Sequence, residues 1–246
     1  MEGIRAHAAP RTAVVWAVLK EELARAAGAA LTVVDVGGGT GGFAVPLAQA
    51  GHQVTVVDAS PDALAALTRR AVEAGVGDRV DAVQGDADKL TEVVGEACAD
   101  LVLCHSLLEV VESAAEAADA LAAVLRPGGA ASVLVANRAA AVLSRALSGN
   151  LGAAARLLDD PDGRAGGRDT LLRRFDAVQA EALLTAAGLR VEQVHGVRVV
   201  ADLTPSTLLD TEPGAYDALL AFEREASTRS PYRDVATQIH LLARRP

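Results

Sequence analysis

The chain has 246 residues, with 23 Lys and Arg against 32 Asp and Glu and a formal net charge of −9. Hydrophobic residues make up 51% and aromatic residues 2%, so the core must be built from Ala, Val and Leu. This apolar content excludes a mainly disordered chain, and the acidic balance excludes a globally basic nucleic-acid binder, though not a local basic face. The charge is unevenly placed. Residues 1–137 carry 9 basic and 18 acidic side chains, whereas residues 138–246 carry 14 of each. The length suits one α/β domain with an elaboration, or two small domains.

In chain order, residues 10–27 read as a helix that begins at Pro10 and stops at Gly28. Leu31–Val36 is a β-branched apolar run, read as a buried strand. Gly37–Gly42 is a glycine loop, and Phe43–Ala50 a short helix ended by Gly51. Gln53–Val57 is the second strand. Ser60-Pro61 caps a helix to about Ala74. Arg79–Gln84 is the third strand and Leu101–Cys104 the fourth. Ser113–Leu125 is a helix closed by Arg126-Pro127-Gly128-Gly129, and Ala130–Ala136 is the fifth strand. Strands alternating with helices imply parallel βαβ units and a doubly wound sheet covered on both faces.

Residues 138–175 break this rhythm. They read as an insertion: a short helix near 139–148, then a mobile loop rich in Arg, Gly and Asp. Asp176–Ala187 is a helix stopped by Gly188. Val191–Val200 and Thr237–Ala243 read as strands around a helix near 214–228, which completes seven strands. The chain is therefore expected to be one domain over 1–246: an N-terminal helix in 1–30, a core in 31–137, an insertion or lid in 138–175 and the C-terminal part of the sheet in 176–246. Cys98 and Cys104 offer neither a disulfide framework nor metal-ligand spacing and read as reduced thiols. Met1–His7 lacks a secretory pattern and no apolar run reaches about 18 residues, so a cytoplasmic protein without membrane spans is expected.

The chemistry-bearing residues begin at the glycine loop, Asp35-Val36-Gly37-Gly38-Gly39-Thr40-Gly41-Gly42, between a strand and a helix. Glycines there permit positive φ, admit a ligand close to the backbone and aim helix amides at it. Asp58, at the end of strand two, can accept hydrogen bonds from both hydroxyls of a ribose; it also reads as a capping acid before Ser60-Pro61. Gly85-Asp86-Ala87-Asp88 follows strand three and is either a ligand-reading turn or an exposed acidic turn. A nicotinamide-dependent oxidoreductase shares the first two devices.

The order Asp35-x-Gly37-x-Gly39-x-Gly41, then Asp58, Asp86 and Leu125-Arg126-Pro127-Gly128-Gly129, resembles the class I S-adenosylmethionine-dependent methyltransferases. Cys104-His105-Ser106-Leu107-Leu108-Glu109, Val135-Ala136-Asn137, Gly196-Val197-Arg198-Val199 and Ile239-His240 are similar to the bacterial tRNA 5-carboxymethoxyuridine methyltransferase group, which esterifies a carboxylate on a wobble uridine. The resemblance implies a Rossmann-like sheet, S-adenosylmethionine as cofactor with S-adenosylhomocysteine as product, and no metal. It implies that Arg11, Gly37 and Gly39 hold the methionine part of the cofactor, with Asp35 and Gly38 also among the cofactor-binding residues. Asp58 and Ala59 would hold the ribose, Asp86 and Ala87 the adenine. His105 and Ser106 would face the sulfonium and the acceptor, with His105 the candidate base, and Asn137 and Arg198 would contact the acceptor. Arg11 also reads as a solvated helix charge, and His105 as a structural histidine. The acceptor is tRNA or a small molecule. Two departures from the tRNA group favour the small molecule: Val200-Ala201-Asp202-Leu203-Thr204-Pro205 lacks an arginine, and four arginines in 159–176 face five aspartates.

Overall fold

The fold is described from a computed structural model, which covers residues 10–166 and 169–246. Met1–His7, read above for a signal pattern, and Arg168 of the arginine-rich stretch lie outside the described residues. In chain order the elements are α1 (Ala13–Arg25), β1 (Thr32–Val36), α2 (Ala44–Gln49), β2 (Gln53–Asp58), α3 (Pro61–Glu73), β3 (Val80–Gln84), α4 (Leu90–Val94), β4 (Ala99–His105), α5 (Ala114–Val124) and β5 (Leu125–Ala136). Then come α6 (Arg138–Leu147), α7 (Leu151–Asp159), α8 (Ala177–Ala186), β6 (Arg190–Val197), α9 (Ser206–Thr211), α10 (Ala215–Ala226) and β7 (Gln238–Arg244).

Seven strands form one sheet in the order β3-β2-β1-β4-β5-β7-β6. The first five pair in parallel, and β7 lies antiparallel between β5 and β6. Side chains alternate across each strand, so both faces must be covered if both sets are apolar. They are. Val34, Val36, Val102 and Cys104 enter one core with residues of α5 and α8. Val33, Leu101 and Leu103 enter the other with residues of α1, α2 and α3. The chain order reverses between β1 and β4, and a crevice opens there at the carboxyl ends of the strands.

Several helix starts follow from local chemistry. Ser60 accepts the Ala63 amide at 3.2 Å, with Pro61 in the first turn of α3. Asp176 and Gln179 form a reciprocal capping box at α8.

The structure corrects four expectations. The insertion contains a second helix, α7, where a loop was expected; Asn150 caps it by accepting the Ala153 amide at 3.2 Å, and Leu157 is buried beneath it. Strand β6 ends at Val197, short of Val200, because Arg198 turns to φ +64°. The next three amides, of Val199, Val200 and Ala201, donate to the buried Glu223 carboxylate at 2.8–2.9 Å. Strand β5 begins at Leu125 opposite Ala99 and arches through Arg126–Gly129 before Ala130 pairs with Leu101. Helices α4 and α9 stand where none was expected.

Candidate functional site

A cleft of about 740 Å³ lies at the carboxyl ends of β1, β2 and β3. Gly37, Asp58, Ala59, Asp86 and Ala87 line it on one side, and the turn containing Leu107 and Val110–Ser113 on the other. Of the sequence-predicted site residues, Gly37, Asp58, Ala59, Asp86 and Ala87 thus meet in one place, whereas Asp35, Gly38, Gly39, Arg11, His105 and Ser106 do not line it. Gly37 leaves β1 with φ +72° and donates to the Val57 carbonyl at 2.7 Å. A Cβ on Gly38 would lie 2.5 Å from the Asp35 carboxyl carbon, so the loop lies directly over that side chain.

The two aspartates differ in environment. Asp58 accepts the Gly39 amide at 2.9 Å on one oxygen and the Ser60 amide at 2.9 Å on the other. It therefore pins the glycine loop to the end of β2 while facing the cleft. Asp35 is buried, and its Oδ2 has no hydrogen-bond partner. Burial, and then the neighbouring Asp58 charge, push its pKa up to about 7.

His105 ends β4 outside the wall of that cleft. Its Nε2 lies 2.9 Å from Ser132 Oγ, which lies 2.8 Å from His240 Nε2. The His105 ring stands edge-on to Phe43, which stacks on Trp16. Burial pushes the His105 pKa down to about 3 and that of His240 well below its usual value. The His105–Ser132–His240 row is consequently neutral at physiological pH, and no carboxylate of the described residues bonds to His105.

Arg11, Ser106 and Arg198 form a second group. Asp202 bridges Arg11, at 3.1 Å, and Arg198. Arg198 also donates to Gln238 at 3.4 Å, and Gln238 donates to Ser106 at 3.0 Å. Ser106 and Arg198 both have positive φ. Asn137 lies elsewhere. Its oxygen accepts the Ala139 amide at 3.0 Å, and its nitrogen donates to the carbonyls of Asp234 and Ala236. That side chain caps α6 and ties it to the segment before β7.

Sequence reasoning missed Ser132, His240, Asp202, Gln238 and Glu109. His240 and Glu109 carried a signal, in the segments Ile239-His240 and Cys104–Glu109 that bear the resemblance, but neither was assigned a role. Glu109 is buried, with Oε1 accepting the Ala136 amide at 3.2 Å and Oε2 unpartnered. Cys98 and Cys104 are free thiols. Among the described residues no group of three or more His, Cys, Asp or Glu could hold a metal, and no helix is long and apolar enough to cross a membrane.

Residues 33–129 match the family model of a methyltransferase domain. The chain is 29% identical to the tRNA 5-carboxymethoxyuridine methyltransferase of Escherichia coli (strain K12), over 96% of this chain and 88% of the relative. It is 33% identical to the ubiquinone biosynthesis O-methyltransferase of Xanthomonas axonopodis pv. citri (strain 306), over 71% of this chain and 69% of the relative. Its fold is similar to that of magnesium protoporphyrin IX methyltransferase from Synechocystis PCC 6803 with bound S-adenosylhomocysteine. The TM-score is 0.63 at 18% identity, covering 100% of this chain and 86% of that one. With the glycine loop, Asp58 and the Asp86 turn gathered around one cleft, the chain belongs to the S-adenosylmethionine-dependent methyltransferases.

Proposed function

We propose that this S-adenosylmethionine-dependent methyltransferase esterifies a carboxylate, acting as a single unit over 1–246. The observation that carries the reading is the environment of His105. It is the candidate base at the end of β4, yet it is tied into a neutral row with Ser132 and His240 and held at a pKa of about 3. Such an imidazole is too weak a base to deprotonate a hydroxyl or phenol at neutral pH. A carboxylate acceptor is already ionised and needs no base.

The cleft fits the cofactor. When bound, the cofactor supplies an electrophilic methyl group on a cationic sulfonium. Asp58 would accept the ribose hydroxyls, Asp86 and the Ala87 amide would read the adenine, and Gly37–Gly39 would lie along the methionine part. The orphaned buried oxygen of Asp35 beneath Gly38 supports a cationic ligand above that loop. Arg11 suits the carboxylate of the methionine part, provided that it leaves Asp202. Ser106 and Arg198, joined through Gln238, stand as acceptor contacts, with Arg198 offering a cation for the acceptor carboxylate once it exchanges Asp202 for it. Asn137 is proposed for the acceptor side only as the cap that sets α6.

The relative at 29% identity supports a carboxylated wobble uridine of tRNA as the acceptor. A small carboxylic acid is favoured by a different observation: most described arginines of the insertion are engaged within the protein, although Arg145 is exposed. Arg164 pairs with Asp160 and Asp162, Arg174 with Asp169, and Arg138 with the carbonyls of Leu157 and Leu158.

The test is transfer of a labelled methyl group from S-adenosylmethionine to total tRNA and to a small-molecule acid fraction. The expected product is a methyl ester, so mild alkali releases the label as methanol. Alkali-stable label in either fraction overturns the carboxylate reading, and the labelled fraction decides between tRNA and small acid.

A further inference from the structure

We propose that Arg173 is a positioning residue for the cofactor cleft, tying the end of the insertion to the turn that forms the cleft's far wall. That turn contributes Leu107, Val110, Val111, Glu112 and Ser113 to the cleft. Arg173 bonds to this turn without lining the cleft. One guanidinium nitrogen donates to the Leu108 carbonyl at 2.7 Å and the Val111 carbonyl at 2.6 Å, and the other to the Glu112 carbonyl at 2.7 Å. Three converging carbonyls need a planar group with several fixed donors, which arginine offers and lysine does not.

The main chain repeats the connection. The Glu109 carbonyl accepts the amides of Leu172 and Arg173 at 2.9 and 3.3 Å. Glu109 in turn accepts the Ala136 amide through its side chain, so the turn is also fixed to the end of β5. On the insertion side, Phe175 donates to the Ala136 carbonyl at 3.0 Å, Arg138 donates to the Phe175 carbonyl at 2.9 Å, and Arg174 donates to the Asp162 carbonyl at 2.7 Å. Residues 172–175 are thus bonded both to the cleft wall and to the body of the insertion. No atom of Arg173 lines the cleft. Its effect passes through the turn: with Arg173 in place, cleft wall and insertion hold one arrangement, and binding in the cleft stabilises residues that never touch the ligand.

The experiment titrates the full chain with S-adenosylhomocysteine by calorimetry and follows amide hydrogen exchange. Arg173→Ala is expected to weaken binding at least tenfold, and Arg173→Lys less, since one ammonium reaches fewer of the three carbonyls. In the wild type the ligand is expected to slow exchange at Leu172, Arg174 and Phe175; in Arg173→Ala it should no longer do so. Wild-type affinity in a folded Arg173→Ala, or unchanged exchange at 172–175 on adding the ligand to the wild type, overturns the proposal. If Arg173→Ala does not fold, wild-type affinity in Arg173→Lys overturns it. The proposal rests on the cofactor occupying this cleft, and protection of the Gly39 and Ser60 amides by the ligand reports on that separately.

Discussion

Asp58 and Asp35 stand at the carboxyl ends of neighbouring strands and carry opposite environments. Asp58 accepts the Gly39 and Ser60 amides and faces the cleft. Asp58→Ala removes the proposed ribose acceptor and unpins the glycine loop. Charge-assisted hydrogen bonds contribute about 1.5–3 kcal/mol each. S-adenosylhomocysteine affinity measured by calorimetry should therefore fall by at least about tenfold, whereas unchanged affinity would reduce Asp58 to a capping acid. Asp35 makes a pH prediction. Its folded pKa, about 7, lies above the usual 3.8. The folded state then binds more protons than the unfolded chain between those values, so stability declines as pH rises through that window and levels off above it. At about 1.4 kcal/mol per unit the contribution is at most ~4 kcal/mol. Thermal melts of the ligand-free protein should lose this decline in Asp35→Asn. A mutant slope equal to that of the wild type between pH 4 and 7 would assign the decline to other groups.

At the scale of elements, local chemistry was legible where it is self-contained. Strands β1, β2 and β4 announce themselves as apolar runs because both their faces are buried. Ser60-Pro61 and Asp176 announce helices because a cap bonds within three residues of itself. Asp58 and Asp86 were legible for the same reason: in parallel βαβ units the residue after each strand must reach one common edge. The missed elements depend on partners far along the chain. Strand β6 stops at Val197 because Glu223 of α10, over twenty residues later, takes the following amides. Helix α7 was hidden by Gly152 and by the aspartates and glycines that follow it, although Leu157 gives it a buried face. The histidine row needs β4, β5 and β7 side by side. Ser132 and His240 are 108 positions apart, and no local pattern links them to His105. Arg173 was counted as one cation of a charged loop, because its carbonyl partners lie over sixty positions earlier.

For the whole molecule, the net charge of −9 divides according to the work of each part. Residues 1–137 carry the whole of it and line the cleft proposed for the cationic cofactor, and the neutral remainder contributes the insertion and the proposed acceptor side. Several arginines there are engaged within the protein, although Arg145 is exposed. Arg164 and Arg174 are matched by aspartates, Arg173 is turned onto carbonyls, and Arg156 donates to the Ala165 carbonyl. A polynucleotide is held by cations that displace its counterions, and each such contact steepens the decline of binding with salt. A face most of whose described arginines are already engaged has few to offer. The kcat/KM for the methyl acceptor should accordingly fall by less than about tenfold between 50 and 200 mM salt, whereas six to ten phosphate contacts would lower it about 10³-fold or more. A steep decline measured with tRNA would place the phosphate-binding cations outside these engaged arginines. A shallow one would fit the proposed recognition of the acceptor's carboxylate and its immediate surroundings by Ser106 and Arg198.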